Sequence, residues 1–265
     1  MEFEQLSMFQ ETGFKMKKVK PMKILVACEE SQAVCKELRK LGHEAYSADI
    51  QTCSGNHPEW HILGDVIPLI NGDCKFTTMD GVQREIVGEW DMLIAFPPCT
   101  YLTSAGTRHY SLKMNSPEKV EARIKERNKA VEFFMKFWNA KCKCVVIENP
   151  VGYMNTHFMK PTQIIHPYYF AENEKDTENY VQKRTCLWIR GKSPIERHTF
   201  LKKPEPKYFC KGKKCKGKAI GWCEGIKGTT GGQAGRAKAR SKTFPGIAKV
   251  IAEQLAGDAR NYMEG

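Results

Sequence analysis

Short apolar runs recur through the first three quarters of the chain, and nearly every one closes on a polar residue or a thiol. Residues 23–28, 44–49, 61–65, 91–96, 144–147 and 186–189 have the length and apolar content of buried strands. Between them the period changes. Residues 31–41 set Val34, Leu38 and Leu41 on one helical face and stop at Gly42. Ser116 precedes Pro117, a cap followed by proline at the first helical position. The helix expected there carries Val120, Ile124, Val131, Phe134, Met135 and Trp138 as an apolar stripe. A last helix, near residues 245–255, aligns Ile247, Val250, Ile251 and Leu255. Strands and helices in alternation predict an α/β fold around a largely parallel sheet.

In open sheets of this kind, ligands bind beyond the carboxyl ends of the strands. The residues closing each run are therefore the candidates for chemistry: Cys28-Glu29-Glu30, Asp49, Asp65, Pro97-Pro98-Cys99 and Glu148-Asn149-Pro150. Singly, each is ordinary. A strand-ending Asp is usually a turn residue, and a cysteine after two prolines is usually a buried thiol. A thiol and a carboxyl at adjacent strand ends are more telling, because together they suit covalent catalysis with acid assistance.

The net charge of +12 is unevenly spread. Residues 192–249 hold 16 Lys and Arg against three Asp and Glu, and the remainder is close to neutral. A surplus so concentrated implies a polyanionic partner. Over residues 192–235 the strand and helix periods give way to Lys, Gly and Pro with interleaved aromatics, the pattern of a small loop-rich insertion. No apolar run approaches a membrane span, and the first residues lack a signal-peptide pattern, so a soluble, cytoplasmic protein is expected. Eleven cysteines, an odd number in a chain of this length, are expected as reduced thiols. Cys210, Cys215 and Cys223 lack paired CxxC spacing, and no metal is assigned to them.

Order and spacing together resemble the DNA cytosine-5 methyltransferase family, especially its short phage and prophage members. Phe96-Pro97-Pro98-Cys99 is similar to the family's proline–cysteine loop, and Ile147-Glu148-Asn149-Pro150 to its Glu-Asn motif. Gln182-Lys183-Arg184 is similar to its Gln-x-Arg motif, and Thr243-Phe244-Pro245-Gly246 to the closing motif of the short members. The resemblance covers about residues 23–191 and again 240–256. It implies a Rossmann-like S-adenosylmethionine-dependent methyltransferase fold with a largely parallel central sheet and a small basic insertion. The implied divisions are an N-terminal arm (1–22), a catalytic domain (23–191), a target-recognition insertion (192–235) and a C-terminal helix returning to the catalytic domain (236–265).

The resemblance also implies roles. Cys99 would attack carbon 6 of a cytosine flipped out of double-stranded DNA. Glu148 would hold ring nitrogen N3, Asn149 would brace the Cys99 loop, and Arg184 would support the base or Glu148. S-adenosylmethionine is the implied cofactor, held by Cys28, Glu29, Glu30, Asp49, Ile50, Asp65, Val66 and Pro98. Lys211, Lys213, Lys214, Lys216, Arg236 and Arg240 would contact DNA. The implied setting is a bacterial or phage-infected host cell. Two departures stand out: residues 29–33 contain no glycine where relatives have a glycine-rich turn, and Cys186 occupies the place of a second arginine. Lys183 is then an alternative to Arg184. The competing readings are an RNA cytosine-5 methyltransferase and a catalytically degenerate fold that only binds nucleic acid.

Overall fold

The computed structural model describes residues 16–211, 216–225, 235 and 240–262. Its first half alternates strands and helices: β1 (Lys23–Ala27), α1 (Ala33–Lys40), β2 (Glu44–Asp49), β3 (His61–Leu63), β4 (Cys74–Thr77), β5 (Gln83–Ile86) and β6 (Met92–Ala95). It continues with α2 (Pro117–Trp138), β7 (Val145–Pro150), α3 (Tyr153–His157), β8 (Gln163–Ile165), β9 (Thr185–Arg190), β10 (Tyr208–Phe209) and β11 (Ala219–Ile220). The short α4 (Trp222–Gly225) precedes α5 (Pro245–Val250), which runs on as a wider π-helical turn, Ile251–Ala256.

Seven strands form the central sheet in the order β3-β2-β1-β6-β7-β9-β8. Pairings among β3, β2, β1, β6 and β7 are parallel, whereas β9 runs antiparallel to both β7 and β8. The chain leaves β1 toward β2 on one side and later returns on the other side as β6. The crevice at this switch, between the ends of β1 and β6, is where such sheets bind ligands.

All four residues Ile24–Ala27 are buried, as expected for a central strand covered on both faces. Ile24 and Val26 face a cluster that includes Val34, Leu38, Ile247 and Ile251, so α1 and α5 share one side. Leu25 and Ala27 face the other, with Phe134, Phe137, Trp90 and Trp188.

Several expectations are corrected. The hairpin β4–β5 and the edge strand β8 were not foreseen. In α2 the stripe holds at Val120 and Phe134, but Ile124 is exposed and Phe137 is buried in its stead. Phe134 and Phe137 of its second half join the core cluster, with Val131, Met135 and Trp138 packed against it. The supposed arm is tied down where it is described: Val19 N donates to Asp258 O and Asp258 N to Lys17 O, beside a Lys18–Asp258 ion pair of 2.7 Å. Residues 1–15 lie outside the described residues. Residues just after 192 still pack with the body. Ile195 is buried in the core, Tyr180 Oη donates to Lys202 O, and Gln182 Nε2 donates to Pro204 O, so residues up to about 204 belong to the body. Eight described cysteines are free thiols, but Cys210 is disulfide-bonded. A cross-link suits a lysine-rich segment with little core of its own. Among the described residues no three metal-ligating side chains converge, and no helix is long and apolar enough to cross a membrane.

Candidate functional site

The chain leaves β1 by an abrupt turn. Cys28 and Gln32 both adopt left-handed backbone conformations, with φ of 58° and 57°. These are the conformations a glycine would take freely, and each costs a residue with a side chain about 1–2 kcal/mol. The missing glycines are thus replaced by strained residues that something must hold. Gln32 is fully buried; its Nε2 donates to His57 O at 2.8 Å and Ser47 Oγ at 3.3 Å, and its Oε1 accepts from His57 N. Ser47 Oγ also contacts His61 Nδ1 at 2.8 Å, and His61 Nε2 lies 2.9 Å from Gln51 O. Burial holds His61 below its ordinary pKa, which favours the neutral ring this network needs. Gly55 packs against the turn so closely that a Cβ would come within 2.6 Å of Gln32.

Glu29 has a structural task. Its two carboxyl oxygens accept from Val34 N at 2.6 Å and Cys35 N at 3.2 Å, capping α1. Burial pushes its pKa up to about 7 against the pull of those two bonds. It also reaches the wall of a cavity of about 1180 Å³ that opens at the switch point. Cys28, Glu30 and Asp49 line the same side of this cavity. Burial, then the Asp49 and Asp65 carboxylates, raise the Cys28 thiol far above its ordinary value, so Cys28 is a neutral wall residue.

Cys99 and Glu148 line this cavity together, as does Pro98. Asn149, almost wholly buried, donates from Nδ2 to Pro97 O at 2.9 Å, which fixes the turn before Cys99. Leu102 N and Thr103 N donate back to Cys99 O at 3.0 and 2.9 Å. The following loop docks on the loop after β7: Tyr153 N donates to Leu102 O at 2.7 Å and Ser104 N to Val151 O at 3.1 Å. That approach requires Gly152, where a Cβ would lie 1.9 Å from Leu102 O. Burial raises the Glu148 pKa, and the Lys183 ammonium pulls it partly back. A carboxyl so placed holds a proton more readily than a solvated one.

The cavity is electrically divided. Carboxylates occupy the β1–β2 side, while Arg108, Arg123, Lys183, Lys211, Arg240 and Lys242 line the rest. Cys99 and Glu148, at the ends of β6 and β7, stand in the sheet order between the carboxylates that follow β1 and β2 and the Lys183 that precedes β9.

The other expected residues divide as follows. Arg184 is exposed and absent from the cavity wall. Successive residues entering β9 point to opposite sides, so Lys183 faces the cavity in its stead. Lys183 also lies over Trp222 and Phe244 and donates to Arg240 O at 3.4 Å. Val66 turns inward to the core, which removes it from the cavity surface. Asp65 and Ile50 are exposed beyond β3 and β2, outside the cavity wall, with Ile50 79% exposed. Lys211 and Arg240 line the cavity, whereas exposed Lys216 does not. Lys213, Lys214 and Arg236 lie outside the described residues. Cys186 is fully buried and accepts from Asn155 Nδ2, leaving no room for an arginine. Arg108, His109, Arg123 and Lys242 were missed; they lie far from any strand end, and only their charge marks them in the sequence. No protein-family model matches the chain and no curated protein matches it, so the chemistry of the cavity itself carries the functional reading.

Proposed function

We propose that this chain methylates carbon 5 of cytosine in DNA with S-adenosylmethionine as donor. The observation that carries the reading is the divided cavity, with Cys99 and Glu148 between its carboxylates and Lys183 in the sheet order. The residues of the acidic half fit a ligand that bears a sulfonium and an ammonium: Glu30 and Asp49 offer carboxylates, and Phe96 and Pro98 offer apolar surface. When bound, that cofactor supplies an electrophilic methyl group. In the basic half Arg108, Lys183, Lys211, Arg240 and Lys242 fit the phosphates that flank a flipped nucleotide.

The chain's own residues then act in sequence. The thiolate of Cys99 adds to carbon 6 of the base, which makes carbon 5 nucleophilic. Glu148, protonated more readily because it is buried, gives its proton to N3 as the thiol adds and holds the exocyclic amine. Asn149 keeps the Cys99 turn in register through Pro97 O. After transfer, water takes the carbon-5 proton, the carbon 6–sulfur bond breaks to release Cys99 as thiolate, and N3 returns its proton to Glu148.

The test is a covalent trap. Duplex DNA containing 5-fluorocytosine, incubated with the protein and S-adenosylmethionine, should yield an adduct stable to denaturation, because fluorine blocks the release step. Cys99→Ala should form none while still binding DNA and cofactor. An RNA strand of the same sequence serves as the comparison substrate. Near-normal methyl transfer by Cys99→Ala would sink the reading.

A further inference from the structure

We infer that Arg123 and Arg127 of α2 are positioning residues that clamp the Cys99 loop onto the Glu148 loop. The inference rests on the reading above and deepens it. The two arginines stand one helical turn apart, so they share a face. Arg123 donates from Nη2 to Thr100 O at 3.3 Å, one residue beyond Cys99. Its guanidinium also lies 5.0 Å from the ring centre of Tyr101 and 5.2 Å from that of Tyr110. Arg127 lies 4.8 Å from the ring centre of the same Tyr110 and 4.2 Å from that of Tyr153. Tyr153 opens α3, directly after the Glu148-Asn149-Pro150 segment. Tyr110 Oη closes the arrangement with a 2.8 Å bond to Tyr101 O. A continuous stack therefore runs from the residues beside Cys99, through two guanidiniums, to the residue after the Glu148 loop.

Three features give this stack a purpose beyond packing. The loop it holds enters the core only through Leu102: within the 3-10 turn Ser104–Tyr110 the sole buried residue is Gly106. The helix supplying the arginines is anchored at its other end by Phe134 and Phe137, both fully buried. It can thus pass the rigidity of the core to a segment with a single core contact of its own. The arginines are also not ordinary ion-pair residues. Their Nε atoms are buried without an acceptor, and Glu126 between them pairs with Lys129 at 2.7 Å. Planar guanidiniums suit such sandwiches, and an ammonium does not replace them.

The experiment compares Arg123→Gln, Arg127→Gln and both Lys variants in the full chain. The readouts are kcat, the KM for duplex DNA, the cofactor Kd and the rate of adduct formation with 5-fluorocytosine DNA. Both Gln variants should lower kcat and the adduct rate by about 10- to 100-fold, the scale expected when reacting groups are displaced by about 1 Å. The cofactor Kd should stay unchanged, and the Lys variants should restore little. Full rescue by Lys would mean that charge alone matters and would overturn the clamp. A rise in the DNA KM with kcat preserved would make these arginines DNA contacts, with the same consequence. Loss of cofactor affinity in step with kcat would reduce them to general stability residues. If the wild-type protein forms no adduct at all, the methyltransferase reading fails, and the clamp is still decided by hydrogen exchange. The amides of Leu102, Thr103 and Gly106 should then exchange at least tenfold faster in Arg123→Gln than in wild type, with α1 unchanged; equal rates would overturn it.

Discussion

On the β1–β2 side of the cavity the loops are held by side chains. Gln32 bonds Ser47 and His57, His61 bonds Ser47 and Gln51, and Glu29 caps α1. On the β6–β7 side the loops are held largely by backbone, through Leu102 O, Thr103 N and Ser104 N, at a distance only Gly152 allows. The first arrangement surrounds a proposed cofactor, the second a proposed reaction centre. Side-chain scaffolds can be altered one group at a time and respond to pH. A backbone-to-backbone dock is close to all-or-none, because no smaller residue can restore it once a Cβ is present.

The harshest way to break that comparison is Gly152→Ala. The added carbon would lie 1.9 Å from Leu102 O, so one loop must move. We expect transfer activity to collapse, with a stability loss of about 1–3 kcal/mol as for other overpacked sites. Thermal unfolding and the adduct assay measure both effects; a variant normal in each would mean that the loops are not docked. A smaller, graded effect is expected at Gln32. Gln32→Ala loses three amide bonds and keeps the left-handed strain, whereas Gln32→Gly relieves the strain. The Ala variant should therefore be the less stable, by about 1 kcal/mol. Both should raise the cofactor KM while leaving the adduct rate at saturating cofactor intact. A drop in adduct rate without a change in cofactor KM would erase the division between the two sides.

The mildest test is pH. Glu29 has its pKa raised by burial from 4.5 to about 7, so the folded state holds a proton that the unfolded state releases. Its contribution to stability is fully present below about 4.5 and is lost as pH rises to about 7. Wild type should lose stability relative to Glu29→Gln across that window and track it above. Chemical denaturation of both proteins at several pH values reads this directly. A constant difference would show that Glu29 keeps its ordinary titration and that the α1 cap is purely an acceptor.

Much of the candidate site was legible because strand ends concentrate chemistry. Asp49, Cys99, Glu148 and the bracing Asn149 all follow apolar runs that a reader can delimit. What escaped notice lay where period and proximity disagree. Arg184 and Lys183 are one residue apart, and the choice between them depends on which side of β9 faces the cavity. Gln163–Ile165 is too short to show a period, so β8 was missed. Asp73 and Gly88, which join the ends of the β4–β5 hairpin, lie 15 residues apart, and the Asp80-Gly81 turn between its strands was the signal that went unread. The stack of Arg123, Arg127, Tyr101, Tyr110 and Tyr153 spans more than 50 residues of sequence. Stacking leaves no periodic trace in sequence, so the first half of α2 read as an ordinary solvated face. Glu29 shows what a strand-end carboxylate can add unseen: it lines the cavity and also caps α1.

The meeting of residues 17–19 with residue 258 bears on how the protein is made. Val34, Cys35 and Leu38 of α1 are covered by Ile247, Val250 and Ile251, which leave the ribosome some 200 residues later. At ordinary translation speeds that interval is roughly 10–40 s. During it the nascent chain carries an uncovered apolar stripe beside a half-built sheet. The seven strands can pair once Arg190 has emerged, but the α1 face of the sheet is covered only when α5 arrives. Such a chain invites chaperone attendance throughout its synthesis, and a premature stop anywhere before α5 leaves a product that cells should clear rather than tolerate.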